Sequence, residues 1–255
     1  MSAWFPTAPT VSDSQLVLFC FPPGGGDVSS FLGWQRAVGD RIAVVPAALP
    51  GRGRRIAEPL VPSITDVADR LLQPALRRAP GAVALFGHSM GALIAFELAH
   101  RLAAAGRPPA LLVVSGSPAP ESHPYASRTH KLSDEDFVES VRTLGGMPDG
   151  LLDAPEMREL LLPILRSDYA AAEMYRCPQR PVLDVPVLIL GGDSDPLVNC
   201  TELDLWREVT RGPTEVRVFG GGHFFVVDRL DDVLAEVRIA IDFARALDPG
   251  STTRL

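Results

Sequence analysis

Short, almost uninterrupted apolar runs recur at 15–21, 42–45, 83–86, 110–115, 185–190 and 216–219, bounded mostly by glycine, proline or polar residues. Runs this short and this apolar predict strands covered on both faces. Between them the apolar spacing turns helical, at about 30–38, after Ser63, and at about 92–105. Ser63, with Asp66 three residues on, has the form of a helix N-cap, and Val67, Leu71 and Leu72 follow on one face. A closing helix is predicted over 232–247. Such alternation implies an α/β fold with a mostly parallel central sheet flanked by helices. The pattern breaks at 118–181, where no strand is evident and three helical stretches are expected. Ser133-Asp134-Glu135-Asp136 caps one bearing Phe137, Val138, Val141 and Leu144, Pro155 opens a second to about 165, and a third covers 167–175. The expected organisation is one core domain, 1–117 with 182–255, carrying 118–181 as a helical insertion.

The chemistry gathers where predicted strands end. The run at 83–86 leads into Gly87-His88-Ser89-Met90-Gly91 and then into a helix. A turn sharp enough to lift a serine off the end of a strand needs glycines two residues before and two after it, and Gly87 and Gly91 supply that room. This is the nucleophile elbow of the α/β-hydrolase fold. Pro22-Pro23-Gly24-Gly25-Gly26 follows the first strand. Its spacing matches neither a dinucleotide fingerprint nor a P-loop. It suits an early loop that donates an amide to an oxyanion, with Gly24 the candidate because Pro23 has no N–H, and Met90 the second donor.

An acid is expected after the strand at 185–190, in Gly191-Gly192-Asp193-Ser194-Asp195-Pro196, since open α/β sheets assemble sites at that edge. The spacing from Gly192 favours Asp195 over Asp193. Of five histidines, His223 alone follows the last strand, in Gly220-Gly221-Gly222-His223, and completes the order Ser, Asp, His. His100 lies in the helix after the elbow, His123 and His130 lie at the entry to the insertion, and His88 is expected to hydrogen-bond locally. Ser89 as nucleophile, His223 as base and Asp195 as its orienting acid need no metal and no cofactor. The insertion reads as a lid, with Met157, Leu161, Tyr169 and Met174 as candidate groove lining.

Composition narrows the partners. At 255 residues and 46% hydrophobic, the chain can bury one sizeable core. A net charge of -7 with interspersed signs excludes the usual nucleic-acid binder and offers no basic helix for a membrane surface. No apolar run approaches the roughly 18 residues of a spanning helix. The first residues lack the features of a secretory leader, so a cytoplasmic location is expected. Cys20, Cys177 and Cys200 have no metal-binding or redox spacing.

These motifs also carry a resemblance. Trp4-Phe5, Cys20-Phe21-Pro22 with its glycines, Leu49-Pro50-Gly51-Arg52-Gly53, Gly87-His88-Ser89-Met90-Gly91, Leu132-Ser133-Asp134-Glu135-Asp136-Phe137, Leu144-Gly145-Gly146, Leu161-Leu162-Pro163, Gly192-Asp193-Ser194-Asp195-Pro196 and Gly222-His223-Phe224-Phe225 resemble the type II thioesterases of polyketide and nonribosomal peptide biosynthesis. The likeness implies a stand-alone enzyme that hydrolyses acyl groups from the phosphopantetheine arm of an acyl or peptidyl carrier protein. It implies the same roles for Ser89, Asp195, His223, Gly24 and Met90. One departure stands at Pro23-Gly24, where the family commonly has histidine or tyrosine and then alanine, so the loop's shape is expected to differ there. Arg52, Arg54 and Arg55 are candidates for contacting the arm's phosphate or an acidic carrier. The alternatives are a general carboxylesterase of the same fold and a non-catalytic binding protein of that fold. A monomer is expected.

Overall fold

The computed structural model describes residues 2–6, 15–121, 128–148 and 150–247. Six strands, β1 (Leu16–Phe21), β2 (Ile42–Pro46), β3 (Val83–His88), β4 (Leu111–Ser115), β5 (Val187–Gly192) and β6 (Thr214–Phe219), form one sheet in the order β2-β1-β3-β4-β5-β6. Every pairing is parallel. The chain starts in the interior of the sheet, runs out to β2, returns past β1 to β3 and continues to the other edge. Connections after β1 and β3 therefore diverge, which opens a crevice at the carboxyl ends of these two strands.

Successive residues of β1 serve opposite faces, as the pleat requires. Val17, Phe19 and Phe21 join a core with α2 (Ile64–Arg78) and α3 (Met90–Ala104). Leu16, Leu18 and Cys20 join a second core with α1 (Trp34–Val38) and α8 (Leu230–Leu247). Each fully buried Phe or Leu of this kind contributes about 1.5–3 kcal/mol relative to exposure, so the strands read as continuous apolar runs because both faces are covered. Ser63 caps α2 by accepting the Asp66 N–H at 3.2 Å.

Between β4 and β5 the described residues hold helices: α4 (Asp134–Arg142), capped by Ser133, and α5 (Pro155–Glu173). Phe137, Val138 and Val141 of α4 pack on Leu152 and on Leu165 of α5 in a small core of their own. The second and third stretches expected there are one helix. The apolar positions on either side of Ser167 keep a single phase, Ile164, Leu165, Asp168 and Ala171 all being buried, and Pro163 does not break it. The segment expected to be helical at 30–38 is instead split. A 3-10 turn (Val28–Phe31) precedes α1, and Gly33 at φ 83° divides them. Two short helices, α6 (Cys200–Leu203) and α7 (Phe225–Asp228), complete the crossings on either side of β6. No helix among the described residues is long and apolar enough to cross a membrane.

Candidate active site

The site is built where β1, β3, β5 and β6 end. β3 runs directly into α3 through Ser89, whose φ of 54° and ψ of -121° make it the one non-glycine residue at positive φ among those described. Such a conformation costs on the order of 1–3 kcal/mol and persists only where its surroundings enforce it. Here the Ser89 N–H donates to the Ser115 carbonyl of β4 at 2.8 Å. A methyl group at Gly87 would overlap the Gly91 carbonyl, and one at Gly91 would overlap the Phe21 carbonyl at the end of β1. The two glycines thus let the elbow close on itself and on the neighbouring strand. Ser89 stands half-buried at the start of α3, where the helix dipole favours developing negative charge.

His223 comes from the turn after β6. Its Nδ1 lies 2.9 Å from Asp195 Oδ2, and the two side chains are 2% and 0% exposed. Asp195 also accepts the Leu197 N–H through Oδ1 at 2.8 Å, which fixes its carboxylate. Asp193 serves elsewhere. It accepts the Gly221 N–H at 3.0 Å and the Ser194 hydroxyl at 2.8 Å, and these bonds, the Gly221 one first, hold its pKa below the usual carboxylate range. His88 lies beside the His223 ring, 5.1 Å between centroids, with Nδ1 3.0 Å from Ser115 Oγ. Burial, then the charge of His223, push the His88 pKa well below that of a free imidazole, so it remains neutral at pH 7.

Pro23 and Gly26 close a turn through a 2.9 Å Gly26 N–H to Pro23 carbonyl bond, with Gly25 at φ 77°. Gly24 and Met90 face the same cavity as Ser89 and His223, about 150 Å³ in volume. A larger cavity of about 390 Å³ adjoins it, and Pro23, Gly24, Leu144, Tyr169 and Phe224 border both. The Tyr169 ring meets Phe137 edge-on at 5.1 Å. Burial, with the charge of Glu173, raises its pKa and keeps the phenol neutral.

Of the four candidate groove residues, Tyr169 alone borders these cavities. Leu161 turns into the α4–α5 core, Met157 borders neither cavity, and Met174, past the end of α5, is 56% exposed. On a continuous α5 these positions fall on different faces, which a helix broken near 166 concealed. The arginines also differ from expectation. Arg52 is buried and bonded to Asp168, while Arg55 is buried against the Ala48 carbonyl, Glu58 and the Trp4 ring. Only Arg54 of the three is exposed. His130 pairs with Glu173, and His123 lies outside the described residues. The residue unforeseen in the sequence is Asp168. Its signal was a lone carboxylate in phase with the buried stripe Ile164, Leu165 and Ala171.

Comparison with known proteins gives the family. A family model described as a thioesterase domain matches residues 17–240. A probable cadicidin biosynthesis thioesterase of Streptomyces griseus is 38% identical over 229 residues, which are 90% of this chain and 63% of that protein's length. Among solved structures, the type II thioesterase BorB from the borrelidin biosynthetic cluster superposes with a TM-score of 0.87 at 36% identity, covering 94% of this chain and 98% of that one. RedJ, a thioesterase of the prodiginine pathway of Streptomyces coelicolor, gives 0.83 at 38% identity over 93% and 92% of the two chains. With its parallel α/β architecture and a family match over most of its length, the chain belongs to the thioesterase family, hydrolases acting on thioesters.

Proposed function

We propose that this protein is a stand-alone editing thioesterase that hydrolyses acyl thioesters from the phosphopantetheine arm of carrier proteins in polyketide or nonribosomal peptide biosynthesis. The observation that carries the reading is the His223–Asp195 hydrogen bond at the wall of a cavity shared with Ser89. Ser89 Oγ attacks the thioester carbonyl as its proton passes to His223 Nε2. Asp195 holds the ring by its Nδ1–H and stabilises the imidazolium. The oxyanion accepts the Gly24 and Met90 N–H groups, neither of which has a hydrogen-bond partner among the described residues. Collapse breaks the C–S bond, and the imidazolium proton goes to the departing sulfur. Water then attacks the acyl-serine with His223 again as base, and collapse returns the proton to Ser89 and frees the acid. A thiolate leaves readily, so selection among substrates rests on access past the helical insertion, which acts as the lid.

The carrier as partner is supported by the relatives, thioesterases named for cadicidin, borrelidin and prodiginine biosynthesis. In the test, Ser89→Ala leaves the circular dichroism spectrum unchanged and lowers acyl-carrier thioester turnover about 10⁴-fold or more. Residual activity near that of the parent removes Ser89 as nucleophile. A kcat/KM for p-nitrophenyl esters exceeding that for acyl-carrier thioesters favours a general carboxylesterase instead.

A further inference from the structure

The buried pair Arg52–Asp168 takes no part in the steps above, yet it reaches the loop that carries Gly24. Asp168, 3% exposed, projects from α5 across the crevice. Its Oδ2 accepts the Gly25 N–H at 2.7 Å. Arg52, 6% exposed, grips the same carboxylate with both terminal nitrogens, Nη2 to Oδ1 at 2.8 Å and Nη1 to Oδ2. That guanidinium also donates to the Gly26 carbonyl at 3.3 Å and to the Pro50 carbonyl at 3.4 Å. Leu165, one turn earlier on α5, sits so close over Gly25 that a methyl group there would overlap it. The loop is therefore held from both sides, by a charge-assisted bond to one amide and by a guanidinium on the next carbonyl.

We infer that Asp168, oriented by Arg52, is a positioning residue that sets the direction of the Gly24 amide in the oxyanion site. The inference rests on the serine-nucleophile reading. A short turn rich in glycine has little stiffness of its own, and an oxyanion donor stabilises the transition state only when preorganised within a few tenths of an ångström. Fixing the Gly25 N–H fixes the peptide plane that follows Gly24 and so removes much of the freedom of Gly24 itself. A forked, bidentate ion pair suits this task because guanidinium and carboxylate set each other's plane as well as distance. Because Asp168 rides on α5, the same contact ties the oxyanion loop to the helical insertion.

The test measures kcat, KM and inhibition by an acyl trifluoromethyl ketone, whose serine adduct carries an oxyanion, in the full-length parent and in Asp168→Ala and Arg52→Lys. Losing an oxyanion donor costs about 10²–10³-fold in kcat. Asp168→Ala is expected to lower kcat by about 10²-fold and to weaken the ketone in parallel, with KM within about twofold of the parent. Arg52→Lys keeps the charge but not the fork, and is expected to lose about tenfold in both. It carries the test alone if Asp168→Ala does not fold. A purely structural role would lower the melting temperature while leaving kcat and ketone affinity within threefold, and that result overturns the inference. Ser89→Ala separates the two readings. If it stays active, the serine mechanism itself fails; if it is inactive while folded Asp168 and Arg52 variants match the parent, only the positioning role falls.

Discussion

Asp193 and Asp195 differ by two positions and share one loop, yet they meet different partners. Asp195 faces His223 Nδ1 with a side chain wholly out of solvent, whereas Asp193 is exposed and braces the turn at Gly221. Asp195→Asn is therefore expected to present the wrong hydrogen-bonding group to the imidazole and to reduce kcat by about 10⁴-fold. Asp193→Asn retains an acceptor for the Gly221 N–H and is expected to stay within a few-fold of the parent. Comparable losses in steady-state kinetics would remove the assignment. At this scale the residues that the sequence made legible were those at strand ends, because the topology of an α/β sheet dictates where they come together. Asp168 was not legible, since its partners Arg52 and Gly25 lie 116 and 143 positions away and no local pattern encodes that meeting. The arginines misled for a related reason. A charged triplet in a turn is ordinarily solvated, and only the fold reveals that Arg52 and Arg55 point inward.

Elements were legible to the degree that their signal was local. The strands announced themselves through apolar runs, and α2 and α4 through serine caps whose hydroxyls accept the N–H three residues on. The split before α1 and the unity of α5 were not legible, because Gly33 and Pro163 carry conformational effects whose outcome depends on packing against other elements. The elbow is the element most tightly specified. Gly91 is pressed against the Phe21 carbonyl, which belongs to a strand paired on both sides and cannot retreat. Gly91→Ala is expected to cost more than about 3 kcal/mol, beyond the 1–3 kcal/mol usual for overpacking, with the transition midpoint in urea as the measure. A loss below about 1 kcal/mol would show that β1 and β3 can part without disturbing the sheet.

At the scale of the whole molecule, the helices between β4 and β5 must be fastened to the sheet and the helix that carry Ser89. Beyond α5 the fastening centres on Glu97 of α3, which is fully buried. It accepts the Tyr175 hydroxyl at 2.5 Å and donors from Arg101, on α3 itself, and from Arg180, between α5 and β5. Burial pushes the Glu97 pKa up, but the bonds from Arg180, Tyr175 and Arg101 outweigh this and hold it below the usual value. His100, one turn further along α3, is lowered to about 4, first by burial and then by Arg180. For both groups the unfolded chain binds protons more readily than the folded one, so stability must rise with pH across the interval between the two pKa values. For His100 that contribution is complete above about pH 6.5 and is lost on acidification towards 4. For Glu97 it is complete above about 4.5 and lost as the pH falls through its lower folded value. Melting temperature is thus expected to fall in two stages, and His100→Asn should remove part of the upper stage while leaving the lower. Glu97→Gln turns an amide NH2 towards groups that are themselves donors and takes the paired carboxylate from Arg180, while Arg101 keeps only Asp69, a loss of about 3–5 kcal/mol for a broken buried pair. Urea denaturation at pH 7 measures it. A Glu97→Gln variant as stable as the parent, and equally resistant to proteolysis over 128–181, would mean that the packing of α5 on the glycine loop and on the main core holds these helices in place without the Glu97 ion pairs.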